Sequence, residues 1–229
     1  MRRFYALVVL ALVALAPKAI AGGDTYGDEG YGRTYVNYGE AVVNWSKGSD
    51  VNKDLFPFSK SVALGYLSTS RLIGVLPIYV EYGINAQYTF GDKTSTLLGV
   101  TTNYQANMLA VNIPLHLSLN LSFGGVGIVP YAGINLRGNI LGEQVTEIKL
   151  GKTTTTEELR LFDDSEAEGA AGDKAWERFQ AGLSYGVALN LGRCSVGVGV
   201  VTDLMPLVDY GEDNSATALY KTLSIGYAF

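Results

Sequence analysis

The chain is poor in the residues from which most active sites are built. Its 229 residues include one cysteine, Cys194, and one histidine, His116. A single thiol cannot close an internal disulfide, and one His without a second Cys cannot supply the usual zinc ligand set, so no metal and no cofactor is expected. Charge is scarce at 17% of residues, and acids outnumber bases by 22 to 17 without any basic run. That excludes the phosphate-neutralising surface a nucleic-acid partner requires. Long apolar runs are missing too. The longest, Phe4 to Ala16, spans 13 residues, short of the about 20 a membrane helix needs.

What is present begins with an address. Arg2 and Arg3 precede that apolar stretch, and Pro17-Lys18-Ala19-Ile20-Ala21 ends in a small-x-small pattern before Gly22. Residues 1–21 therefore predict a signal peptide cleaved after Ala21, followed by an N-terminal periplasmic segment over 22–32 and one domain over 33–229. Loss of Arg2, Arg3 and Lys18 leaves 14 bases against 22 acids. The mature chain is acidic and exported.

The remainder, 48% apolar overall, alternates with period two. From Met108 to Phe123 every odd position is apolar, while the even ones include Asn112, His116, Ser118, Asn120 and Ser122. Leu76 to Phe90 and Phe179 to Leu191 repeat the pattern, so three long strands are expected. Weaker runs over about 33–45, 60–69, 127–141, 195–205 and 218–229 bring the count to eight. The first is the poorest, because Val36, Val42, Val43 and Trp45 do not hold one face.

Connections between these strands alternate long and short, the plan of an all-β, antiparallel, eight-stranded up-and-down transmembrane barrel. It predicts that the turns near Ser70 to Gly74, Gly124 to Val126 and Gly192 to Cys194 share one rim. A soluble barrel of lipocalin type alternates as well, but its outward face should be about 25–35% charged. Here the polar face is Asn, Ser, Thr, Gln and Gly, which suits a narrow filled lumen with no open pore. Strands this long also meet the about 9–11 residues needed to cross a bilayer at a tilt. The expected location is the outer membrane of a Gram-negative cell, in contact with outer-membrane lipid and lipopolysaccharide.

The chain closes on Leu223, Ile225, Tyr227 and Phe229, alternating to a terminal aromatic. This resembles the barrel-insertion signal read by the barrel-assembly machinery, with Ser224 where Gly is common. Aromatic belts should mark both water interfaces. Phe123, Tyr227 and Phe229 fall towards the periplasmic rim and Tyr88, Phe90 and Phe179 towards the outer one, while Tyr82 and Tyr185 fall nearer the middle.

The stretch NIPLHLSLNLSF, a short turn, VPYAGINLRGN and the closing SIGYAF resemble the small outer-membrane barrel proteins of Bacteroidota that include the PorT-like proteins. The resemblance spans Ser61 to Phe229, and the first strand departs from it by lacking a Gly-rich start. It implies an outer-membrane barrel, and more weakly a role as an accessory of type IX protein secretion with a secretion-system partner.

Few residues offer chemistry. His116 and Ser118 resemble the His-x-Ser of outer-membrane lipid A deacylases, which need both side chains towards lipid and a carboxylate to orient the His. Parity places both towards the lumen, and no carboxylate lies between Ser118 and Gly142. A structural pair is the favoured reading, and no catalytic residue is assigned. The expected lumen charge network is Glu81, Arg137, Arg178 and Asp203, two acids balancing two bases as buried charges require, with both arginines placed to share Asp203. The loop over 142–175 holds nine acids and four bases. Ile148, Leu150, Leu159 and Leu161 flank its Gly151-Lys152 centre, a pattern for a projecting hairpin; a solvated loop is favoured over a site for an extracellular partner. Asp209, Glu212 and Asp213 lack the ligand spacing of a calcium site. Cys194 is read as an unpaired turn residue. Altogether, the expectation is a structural or cell-surface interaction protein.

Overall fold

The computed structural model describes residues 30–46, 57–73, 76–123, 125–162, 176–209 and 214–229. The expected signal peptide, most of the segment after it, the acidic stretch 163–175, and Glu212 and Asp213 lie outside the described residues. In chain order the strands are β1 (Gly30–Trp45), β2 (Lys60–Arg71), β3 (Ile78–Leu97), β4 (Val100–Leu119), β5 (Leu121–Phe123), β6 (Val126–Leu150), β7 (Thr153–Arg160), β8 (Phe179–Leu191), β9 (Cys194–Asp203), β10 (Val208–Asp209) and β11 (Ser215–Ala228).

Eight of these make a closed wall. β1, β2, β3, β4, β6, β8, β9 and β11 pair antiparallel in that order. The ring is sealed where β11 returns to β1, from Arg33↔Ala228 to Trp45↔Ala216. Closure matters because an open sheet leaves rows of unpaired N–H and C=O groups, and a ring leaves none. β5, β7 and β10 only extend individual wall strands.

The short turns do share one rim. Leu72 N–H donates to Ile78 O and Asn120 N–H to Pro77 O, so the second and fourth strands turn side by side. Ala228 N–H donates to Arg193 O, bringing the β8–β9 turn and the C-terminus to the same end. We call this the terminal end, and its opposite the far end.

Polarity around the wall is inverted relative to a water-soluble protein. On β4, Ile113, Leu115, Leu117 and Leu119 are exposed while Asn112, His116 and Ser118 are buried. The period-two alternation places the leucines outside and the amides, hydroxyls and imidazole inside. On β6 a bulge interrupts this parity: Leu109 faces Leu141 and Ala110 faces Asn139, so Ile140 is the extra residue. Ile140 and Leu141 are consequently both exposed, and the inward positions change from odd (Asn135, Arg137, Asn139) to even (Gln144).

One stretch expected as a loop is strand instead, and a second carries the hairpin its pattern suggests. Residues 91–107 continue β3 and β4 as one long hairpin paired up to Leu97↔Val100. The expected hairpin around Gly151-Lys152 is present, with β6 and β7 paired from Glu143↔Arg160 to Leu150↔Thr153. Pairing of β3 with β2 ends at Lys60↔Phe90, and that of β6 with β8 at Gly138↔Phe179. Beyond that level β3, β4, β6 and β7 form a four-stranded blade. The seven residues from Gly91 to Leu97 carry it about 23 Å further, at about 3.3 Å per residue.

β1 starts at Gly30, earlier than expected, and it does hold one face. Arg33, Tyr35 and Ala41 are buried, and Val36 and Tyr38 are exposed. Both faces look apolar near Val42 and Val43 because the lumen itself turns apolar there. Val43 and Trp45 pack on an interior cluster of Phe58, Met108, Leu161, Phe162, Trp176, Leu207 and Val208. Loop residues from three connections thus plug the far end.

Candidate functional site

The lumen is layered. Nearest the terminal end, Glu81 on β3 lies opposite His116 on β4. Arg33 lies 3.7 Å from Glu81 Oε2, and His116 Nδ1 lies 3.9 Å from the same oxygen. Both separations exceed hydrogen-bond reach. The imidazole stacks on Tyr131, ring centroids 4.8 Å apart. These groups border a cavity of about 80 Å³ that Tyr35, Asn85 and Asn112 also line. A Cβ on Gly199 would come within 2.3 Å of the Tyr131 hydroxyl. The glycine is what lets the tyrosine cross the lumen.

Above this runs a ladder of amides. Asn85 Nδ2 donates to Tyr35 OH at 2.9 Å. Asn112 Nδ2 donates to Asn85 Oδ1 at 2.8 Å and to Gln87 Oε1 at 2.9 Å, and Asn135 Nδ2 donates to Asn112 Oδ1 at 3.0 Å. β1, β3, β4 and β6 are thereby tied across the interior, past β2. Sequence reasoning did not single these residues out, although their shared inward parity was the available signal.

Nearer the far end, Arg137 and Asp203 form a direct ion pair, each side chain 1% exposed. Arg137 Nε also donates to Gln180 Oε1 at 3.4 Å, and its guanidinium lies 4.7 Å from the Tyr220 ring centroid. Asn139 donates to the same Gln180 oxygen and to Glu177 O. This layer sits beneath the apolar plug.

Of the four expected lumen charges, the structure buries Glu81, Arg137 and Asp203 in two separate clusters. Arg178 is a correction. It precedes the first residue of β8, and its exposed side chain turns to Phe162 O and the Phe162 ring, so it does not share Asp203. Parity governs only residues held in the ladder, and Arg178 is just outside it. Arg33 was missed for the reason that obscured β1.

The remaining candidates are placed as follows. His116 and Ser118 both point inwards and are buried, with Glu81 the adjacent carboxylate. Leu223, Ile225 and Tyr227 are exposed on the outside of β11, and Phe229 stacks on Tyr66 at the terminal end, centroids 6.1 Å apart. Cys194 is exposed at the start of β9 with a free thiol. Among the described residues no three potential ligands gather as a metal site.

No family model matches the sequence, and no curated protein matches it. The chain is similar to solved structures of small bacterial outer-membrane barrels. Neisserial surface protein A shares 9% identity over 86% of this chain and 97% of its own, with a TM-score of 0.43. A major outer membrane protein from Thermus thermophilus shares 13% over 87% and 99%, at 0.39. Ail, the attachment invasion locus protein of Yersinia pestis, shares 12% over 88% and 99%, at 0.37. The likeness is one of barrel type. It carries nothing on ligand or partner.

Proposed function

We propose that the chain is an integral outer-membrane barrel protein that acts structurally, as a rigid anchor holding a β-blade and acidic loops on the cell surface. One observation carries this reading: a closed eight-stranded ring whose outside is apolar and whose inside is polar. A water-facing exterior of Leu, Ile, Val and Tyr on every wall strand would be unstable, and in a bilayer the same surface is solvated. The terminal end then faces the periplasm and the blade faces outwards, as in barrels with short periplasmic turns.

The interior argues against transport and against lipid chemistry. An eight-stranded lumen is narrow enough for side chains to fill, and here the apolar plug closes its far end. His116 and Ser118 are walled off from the lipid face, so an acyl chain cannot approach them. A signal peptide ending at Ala21 and a C-terminal insertion signal at Leu223, Ile225, Tyr227 and Phe229 complete the export route in this reading. Nothing in the described residues favours a secretion accessory over this simpler role.

Fractionation of expressing cells tests the proposal. The protein is expected with the outer membrane and resists extraction by high salt. Recovery in the soluble periplasm would overturn it.

A further inference from the structure

The blade carries an apolar cap with no use inside the molecule. Outward leucines and isoleucines of the barrel wall stop at the level of Phe90, Leu109 and Leu141. Past it the blade is mostly polar, through Asp92, Lys93, Thr94, Ser95 and Thr96 on β3 and Thr101, Asn103 and Gln105 on β4, while Tyr104, Val145, Ile148 and Leu159 are half-buried. At its tip the apolar residues return. Leu97, Leu98 and Leu150 are 72%, 94% and 61% exposed, and Val100 of the first hairpin pairs with Leu150 of the second. About 20 Å of mostly polar sheet therefore separates this cap from the wall band, so the lipid that solvates the barrel does not reach it.

The turn makes the choice of leucine costly. Leu98 has φ 51° and Gly99 φ 81°, and Leu98 is the only non-glycine residue with positive φ among the described residues. A two-residue hairpin turn with both φ values positive favours Asn-Gly or Asp-Gly, because the short polar side chain tolerates the left-handed region. Here a leucine takes the Asn position and projects into water. Fold stability gains nothing from it.

Two lysines flank the cap. Lys152 is exposed in the second turn, and Lys149 is half exposed with Glu147 at 3.2 Å. No acid stands among residues 94–100 or 148–156. Three exposed leucines at the tips of adjacent hairpins, flanked by Lys149 and Lys152, suit shallow insertion between anionic headgroups. We infer that the blade tip is a lipid-docking site that inserts Leu97, Leu98 and Leu150 into the anionic surface of an apposed membrane.

The inference rests on the outer-membrane reading, which puts the blade outside the cell, and the test keeps the two apart. The full chain is embedded in phosphatidylcholine nanodiscs and floated with vesicles of phosphatidylcholine alone or mixed with phosphatidylglycerol. Co-flotation is expected with the mixed vesicles. Leu97→Ser, Leu98→Asn and Leu150→Ser together should lower the bound fraction roughly tenfold, and Lys149→Gln or Lys152→Gln about fivefold each at low salt. Leu98→Asn restores the preferred turn residue, so that variant keeps its fold while losing binding. A nanodisc-embedded protein that ignores both vesicles, or a triple variant that binds like the parent, overturns the docking site. Failure to enter nanodiscs at all overturns the barrel reading instead.

Discussion

The two buried charge clusters of the lumen differ in how their ions meet. Beneath the plug, Arg137 and Asp203 touch directly, and Gln180 and Tyr220 fill the space around them. Near the terminal end, Arg33 and His116 stand 3.7 and 3.9 Å from Glu81 beside a cavity. Its about 80 Å³ exceeds several-fold the about 10–15 Å³ a cavity needs to hold one water. Charge sealed under an apolar lid has only its partner to satisfy it, while charge beside a polar cavity has water as a second solution.

The largest effect should come from breaking the sealed pair. Arg137→Ala strands Asp203 and is expected to cost about 3–5 kcal/mol, read as a lowered urea midpoint of the barrel in lipid. Arg137→Met with Asp203→Leu removes both ions and should recover most of that loss. Removing the lid comes next. Leu161→Ala leaves a hole in the plug and should cost about 2–4 kcal/mol by the same readout, with greater accessibility of Trp176 to a fluorescence quencher.

A packing change at the cavity should be smaller. Gly199→Ala meets the Tyr131 hydroxyl and is expected to cost about 1–3 kcal/mol. Tyr131→Phe in the same chain should relieve it, since the next atom, on Thr222, lies at 3.4 Å. Smallest of all is Glu81→Gln, at about 1 kcal/mol, because water can meet the groups it leaves. A loss equal to that of Arg137→Ala would show that the two clusters are alike and that the cavity is dry.

The sequence was legible wherever the two sides of the wall differ in polarity. β4 reads cleanly because Leu115, Leu117 and Leu119 face outwards against His116 and Ser118. β1 does not, because the plug makes its inner residues apolar too, and Val42 and Val43 then look alike. Residues 91–107 read as a loop for the opposite reason: most of both faces meets water, so Thr94 to Gln105 lacks a regular contrast of polar and apolar positions. The bulge at Ile140 shows only in the pairing. For the site, inward parity singled out Glu81, Arg137 and Asp203, but it could not say which charges meet across the lumen. That depends on register and on strand neighbours distant in sequence.

In the proposed reading the barrel is apolar outside and polar inside, girdled by lipid, with its blade outside the cell. Single cysteines at Thr154 and Gly125, in a Cys194→Ser background, test it by labelling intact cells with a membrane-impermeant maleimide. Labelling at 154, with protection at 125 until the cells are opened, is the expected result. Protection of both positions in intact cells, with the protein recovered in the soluble periplasm, would contradict it.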